Sequence, residues 1–199
     1  MGLQYSVAVR NAQNDQFETT TGAASKLQLR SGAAPANCAA ADSGTLLAEL
    51  TLPSDWLTPS SAGVKQKNGT WSGTGSAAGT VGHFRIKDNA GTTTHVQGTV
   101  TQPVVLATNA VTAANGNVLN FAATTGVVVG MNVSGVGVVA GSTVVATTGT
   151  TVTLSHTSTA GVANGASITF GGDMTIDNVV IAVGQAVRVD TFDLTRGNA

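Results

Sequence analysis

Three histidines, one cysteine and a scatter of isolated carboxylates are the side chains in this 199-residue chain best suited to acid–base, nucleophilic or metal chemistry. His83, His95 and His156 have no second ligand two, three or four residues away, so metal-site spacing is absent. The best constellation the sequence offers is a cross-strand pair, His83 with His95, near Asp88; it competes with solvated or edge-facing sheet histidines. Asp173 and Asp177 are four residues apart in a strand and its turn. They lack the opposed geometry of an acid/base pair and read as turn and edge residues. Cys38 has no partner for a disulfide or zinc site and reads as a packed or idle thiol in an Ala-rich loop.

Other strings fail on context. Gly135-Val136-Gly137-Val138-Val139-Ala140 matches a dinucleotide fingerprint, but no helix can start in the residues that follow and no acidic residue lies about 20 residues downstream to hold a ribose. No Gly-x-Ser-x-Gly elbow occurs. Asn68-Gly69-Thr70 and Asn132-Val133-Ser134 would be glycosylation acceptors only in a secreted eukaryotic chain. The expectation is a protein that is not an enzyme, with no catalytic, cofactor-binding or metal residues.

The element that places two of the three histidines is a hairpin, Gly82 to Val100, folded around Asp88-Asn89-Ala90-Gly91. Phe84 and Ile86 fall on one face, Arg85 and Lys87 on the other. Upstream, residues 6–20 read as a short amphipathic helix with Ser6 as N-cap, Gly22 as stop and a stripe of Tyr5, Val9, Ala12 and Phe17. Strands are expected at 26–30, with Leu27 and Leu29 inside and the charges outside, at 45–52 and at 62–71. A loop rich in Gly, Ala and Pro runs from Ser31 to Ser43. Trp56, Leu57 and Pro59 form a plug in which the indole can bury its ring and still find an acceptor. The chain closes with strands at 173–178, 179–183 and 186–194, the last with Val187, Val189 and Thr191 on one face.

Charge divides the chain. No Asp, Glu, Lys or Arg occurs from Asn89 through Gly172, so a charged frame encloses an uncharged piece. That piece carries strand-like runs at 118–121, 130–133, 142–145, 151–154 and 166–170, with Gly149-Thr150 as a hairpin turn. Residues 1–102 with 171–199 are expected to form a discontinuous frame, and 103–170 an inserted β-module. Short strands at 8 to 12 residue spacing, with 25 glycines and only 4% aromatics, give the fold class: all-β, a jelly-roll or β-sandwich frame with one short amino-terminal helix and an inserted small β domain. Only 10% of residues are charged, against about 25% in ordinary soluble domains, so much of the surface is expected to meet other chains. No basic cluster or basic amphipathic stretch points to nucleic acid or an acidic membrane. Apolar runs stop short of the roughly 18 residues of a membrane span, and no targeting segment is evident.

Several stretches resemble a class of tailed-bacteriophage virion proteins: Met1 to Ala12, Gly32 to Cys38, Gly82 to Asp88, and Gly172 to Asn178. The segment Val118 to Phe170, with Gly-Met-Asn-Val-Ser-Gly and Gly-Thr-Thr-Val-Thr-Leu-Ser, is similar to β-modules of phage tail, fibre and capsid-surface proteins. The resemblance implies a structural protein of the virion, made in the bacterial cytoplasm, of the capsid decoration or cement type. Its implied partners are the major capsid protein and further copies of itself on the particle. The alternative is a tail or fibre-associated adhesin that binds the host surface. A depolymerase would need paired acids, which the chain does not offer.

Overall fold

The computed structural model describes residues 4–139 and 141–195. Its elements are α1 (Val7–Thr21), β1 (Lys26–Ser31), β2 (Leu46–Thr51), β3 (Val64–Gln66), β4 (Ser72–Thr74), β5 (Gly79–Lys87), β6 (Thr94–Thr101), β7 (Val104–Ala107), β8 (Val118–Asn120), β9 (Asn132–Gly135), β10 (Val144–Thr147), β11 (Thr151–Leu154), β12 (Ser167–Gly171), β13 (Met174–Ile176), β14 (Val180–Ile181) and β15 (Ala186–Thr195). The protein is all-β with one short helix, and its contacts divide it into two compact units, Met1–Gln102 with Asp173–Ala199, and Pro103–Gly172.

The first unit, the frame, is a sandwich-like curled sheet in the order β2-β1-β5-β6-β13-β15-β3, with β14 on β5 and β4 on β15. Curling follows from long strands that change partners. β5 pairs β14 at Gly79 and Thr80 and β1 from Val81 onward, while β15 pairs β4 at Ala186–Arg188 and β3 at Asp193–Thr195. A bridge from Ala48 to Gly75 and a hydrogen bond from Ser76 N to Leu47 O then bring β2 back beside the end of β4. The enclosed core holds Leu27, Leu29, Leu50, Ile86, Ile176 and Val189. A chain of rings, Phe17, Trp56, Trp71, Phe192 and Phe84, crosses it with neighbouring centroids 5.5–5.7 Å apart. Trp56 is fully buried and donates its indole N–H to Gly22 O at 3.1 Å, as the plug reading expects.

Three local expectations change. The strand expected at 62–71 is cut to Val64–Gln66, because Ala62 and Gly63 take left-handed φ values of 52° and 82° and turn Ser61 back onto Val64. In β15 the pairing runs Met174↔Phe192, Thr175↔Thr191, Ile176↔Val189, so Asp190 is the extra residue of a bulge. The inward face switches there from Val187 and Val189 to Phe192, and Thr191 is exposed. The helix forms where expected, capped by Ser6 Oγ accepting from Val9 N at 3.3 Å. Its stripe does not face the core: Tyr5, Val9 and Ala12 are exposed, only Phe17 reaches the rings, and the buried residues are Asn14 and Thr21.

The second unit is built from two three-stranded sheets, β7-β12-β9 and β10-β11-β8. Isolated bridges Thr108↔Phe121 and Asn132↔Thr143 join them at both corners. Its core contains Leu119, Phe121, Val133, Val152, Ile168 and Phe170, with Phe121 and Phe170 meeting edge to face at 5.6 Å. All five strand-like runs of this segment form strands; β7 is an additional one. β12 runs to Gly171 opposite Asn132, whose Nδ2 donates to Gly172 O at 3.0 Å, so both glycines belong to this unit.

Candidate functional site

The densest chemistry of the frame lies on the sheet face opposite the rings. Strand alternation puts Gln28 and Arg30 of β1, His83, Arg85 and Lys87 of β5, and Gln97 of β6 on that face. Register places Arg85 opposite both Gln28 and Gln97, and His83 opposite Arg30. The expectation that charges here point outward fails, because the loop from Gly32 to Gly44 folds over them. His83, Arg85 and Lys87 are all buried.

The loop is held by one carboxylate and a set of backbone carbonyls. Asp42 Oδ1 accepts from Arg85 Nη1 at 2.6 Å; its Oδ2 accepts from Arg30 Nη2 at 2.8 Å and Lys87 Nζ at 2.7 Å. Arg85 also donates to Cys38 O at 2.7 Å and Ala40 O at 3.1 Å, and Gln97 Nε2 donates to Pro35 O at 2.6 Å. Burial pushes the Asp42 carboxyl up, but the Lys87 hydrogen bond and the charges of Arg30, Lys87 and Arg85 outweigh it and hold the group below the usual carboxylate range. His83 Nε2, Arg85 Nε and Gln97 Oε1 are buried here without a hydrogen-bond partner in the protein. Each such atom costs about 1–3 kcal/mol, and an apolar face would avoid that; the polar groups serve to grip the loop. One glycine allows the close approach: a Cβ on Gly82 would run into the Gly32 carbonyl.

This geometry dissolves the histidine pair. His83 sits opposite Thr99 and is wholly buried, with Nδ1 3.0 Å from Gly32 O; since a carbonyl can only accept, Nδ1 carries the proton. His95 lies where the register shifts between Ile86 and Lys87, several residues along the strand. Asp88 serves the turn between them: its oxygens accept from Thr92 N at 2.8 Å, Thr92 Oγ1 at 2.9 Å and Thr93 N at 3.2 Å. The Thr92 amide leads in keeping the carboxyl below its usual range. His156 is exposed beside Ser155 in the second unit. Asp173 accepts from Thr99 N and Oγ1, and Asp177 from the amides of Asn178 and Arg188, so both are turn and edge residues. Cys38 is half-buried in the gripping loop. Among the described residues, no group of three His, Cys, Asp or Glu side chains is placed to hold a metal ion. Gly135 ends β9 and starts a turn closed by Val138 N to Gly135 O; Ala140, the last residue of the fingerprint string, lies outside the described residues.

A second polar node ties the helix to the frame and was not legible from spacing. Lys65 is buried, with Nζ 2.7 Å from Glu18 Oε2 and 3.0 Å from Asp15 Oδ1. Burial alone would lower its pKa; the hydrogen bonds and charges of Glu18 and Asp15 raise it instead. Ser60 first, then Lys65, hold Asp15 below its usual range. Asn14 Nδ2 adds a bond to Gly63 O at 2.9 Å, and Glu18 Oε1 accepts from Leu57 N at 3.1 Å. These are structural ties, built to hold segments in place. No protein-family model, no curated protein and no solved structure matches this chain.

Proposed function

We propose that this chain is a structural protein of a tailed-bacteriophage particle that decorates the capsid, its frame binding across seams between major capsid subunits. The observation that supports the reading best is where two of the phage-like stretches meet. Gly32 to Cys38 and Gly82 to Asp88 are distant in sequence, yet they are the two halves of one clasp, joined through Gly32 O to His83 and Cys38 O to Arg85. The clasp rigidifies a sheet face and a surface loop, as a binding scaffold requires. The charge-free unit adds exposed apolar side chains, among them Val105, Val111, Val129 and Val136, suited to contacts insensitive to salt. Many weak contacts repeated on a symmetric lattice add avidity without a large interface per copy.

The test is to incubate the purified chain with purified heads and with purified tails, then sediment each and image the heads by cryo-EM. Saturable, symmetric density on heads is the expected result. Binding to tails or host cells with bare heads would replace this reading with the adhesin one.

A further inference from the structure

Beside the clasp the frame has an open cleft of about 540 Å³, bounded by residues 38–42 of the loop, by Arg85 and Lys87 of β5, and by residues 92–94 at the entry to β6. Its charge does not balance. Arg30, Arg85 and Lys87 all end on Asp42, three cations on one carboxylate, which leaves a surplus of two positive charges where burial limits screening by solvent. Two further carboxylates sit on neighbouring segments, and neither lines the cleft. Asp88 is filled by Thr92 N, Thr92 Oγ1 and Thr93 N, and Glu49 accepts from Gln28 Nε2 at 2.9 Å.

Hydrogen-bond donors are also left over. Asp42 takes one of the three N–H groups of the Lys87 ammonium, and among the described residues nothing takes the other two. Arg85 spends its terminal N–H groups on Asp42, Cys38 O and Ala40 O, so it supplies charge without a further contact. The hydroxyls of Thr93 and Thr94, both lining residues, make no hydrogen bond among the described residues. On the loop side the wall is Cys38 with Ala39, Ala40 and Ala41, whose side chains are too short to fill the space.

We infer that this cleft binds a phosphate group, free or as a small monoester. A dianion matches the surplus of two charges, where a carboxylate would leave one uncompensated, and the phosphate oxygens match the Lys87 ammonium and the two threonine hydroxyls. The volume admits more than bare phosphate, since small-molecule sites run from roughly 300 to 1,000 Å³. Bound there, the anion ties the loop to β5 and β6 and stabilises the frame. The site belongs to the frame alone and makes no use of the capsid reading.

The experiment titrates the full chain at neutral pH with inorganic phosphate, O-phosphoserine and acetate, against sodium chloride of equal ionic strength. Backbone amide shifts are followed by NMR, and the melt by tryptophan fluorescence. Inorganic phosphate or O-phosphoserine should shift the amides of residues 38–42 and 92–94 saturably and raise the melting temperature; acetate should bind about tenfold or more weakly, and chloride should do neither. Tighter binding of O-phosphoserine than of inorganic phosphate assigns the monoester, and equal or weaker binding assigns the free ion. Lys87→Met should weaken phosphate about tenfold or more. Thr93→Val, at an exposed position that leaves the Asp42 contacts intact, should weaken it severalfold and serves if Lys87→Met fails to fold. Shifts that chloride reproduces, shifts centred outside the cleft, acetate binding as tight as phosphate, or phosphate affinity unchanged in the folded variants would overturn the site.

Discussion

Replacing Asp42 with alanine strands three cations at once. Arg85, Lys87 and Arg30 have side chains only 1%, 8% and 11% exposed, and all three end on this carboxylate. Removing one partner of a buried ion pair costs about 3–5 kcal/mol. Asp42 itself is 27% exposed, and Arg85 keeps the carbonyls of Cys38 and Ala40, so the lower figure applies. For a unit of this size about 3 kcal/mol corresponds to a fall of roughly 10 °C in melting temperature. Trp56 and Trp71 both lie in the frame core, so tryptophan fluorescence follows this unit alone. The pH dependence has a defined sign. A folded pKa held below the unfolded value stabilises fully above about 3.9, the ordinary aspartate value, and that stabilisation is lost as pH falls through the folded pKa. Wild type and Asp42→Ala should therefore differ at pH 7, and the gap should narrow as pH falls below the ordinary aspartate value of about 3.9. A fall of less than about 2 °C at neutral pH, or a gap that persists undiminished in acid, would refute the assignment of Asp42 as the clasp.

Lys65→Met should loosen α1 at neutral pH, seen as faster amide exchange across Asn11–Glu18. In wild type the Lys65 contribution should hold below the ordinary lysine value of about 10.4 and vanish as pH rises through the raised folded value. Phe121→Ala removes a ring buried against Phe170 and should cost the charge-free unit about 3–5 kcal/mol. Calorimetry should lose that unit's transition, while the tryptophan midpoint moves far less. Gly82→Val would drive side-chain atoms into the Gly32 carbonyl; proteolysis between Gly32 and Asp42 should become much faster than in wild type. Replacing Pro103–Gly172 with about six Gly and Ser residues, at roughly 3.3 Å per residue, should leave a frame with a cooperative tryptophan-monitored melt.

Alternation carried the readable part of the fold. Leu27 and Leu29, Phe84 and Ile86, and the five runs of the uncharged segment announced strands because their period is two and their borders are Gly, Asn and Thr. What alternation could not supply is what lies over the second face. Arg85 and Lys87 look like solvated residues until the loop from Gly32 to Gly44 closes on them, and nothing in an Ala-rich stretch signals that Cys38 and Ala40 will offer their carbonyls. The histidine pair failed for a related reason, since a hairpin places His83 and His95 on adjacent strands but register decides which residues face each other. At Asp190 one bulged residue moved Thr191 off the core and Phe192 onto it. In α1 the apolar stripe was legible; its direction was not, because Lys65, far along the chain, fixes which side packs.

The pairing of β6 with β13 is parallel, Val100 beside Met174 and Thr101 beside Thr175. Parallel neighbours cannot be joined by a tight turn, so the charge-free unit is also the crossover connection of the frame. This constrains the order of folding. Closing a flexible loop of roughly 70 residues costs about 2 kcal/mol more than closing one of about six, and that penalty falls on the frame whenever the inserted unit is unfolded. Once β7 to β12 have collapsed on their own core, they act as a short rigid tether that presents the two ends to each other. The β6–β13 contact, long-range in sequence, then becomes effectively local. During synthesis β6 waits with one edge unpaired until β13 emerges, and the inserted unit folds in that interval. The Phe121→Ala chain should accordingly refold its frame more slowly than wild type, with its unfolding rate little changed, although Phe121 belongs to the other unit's core.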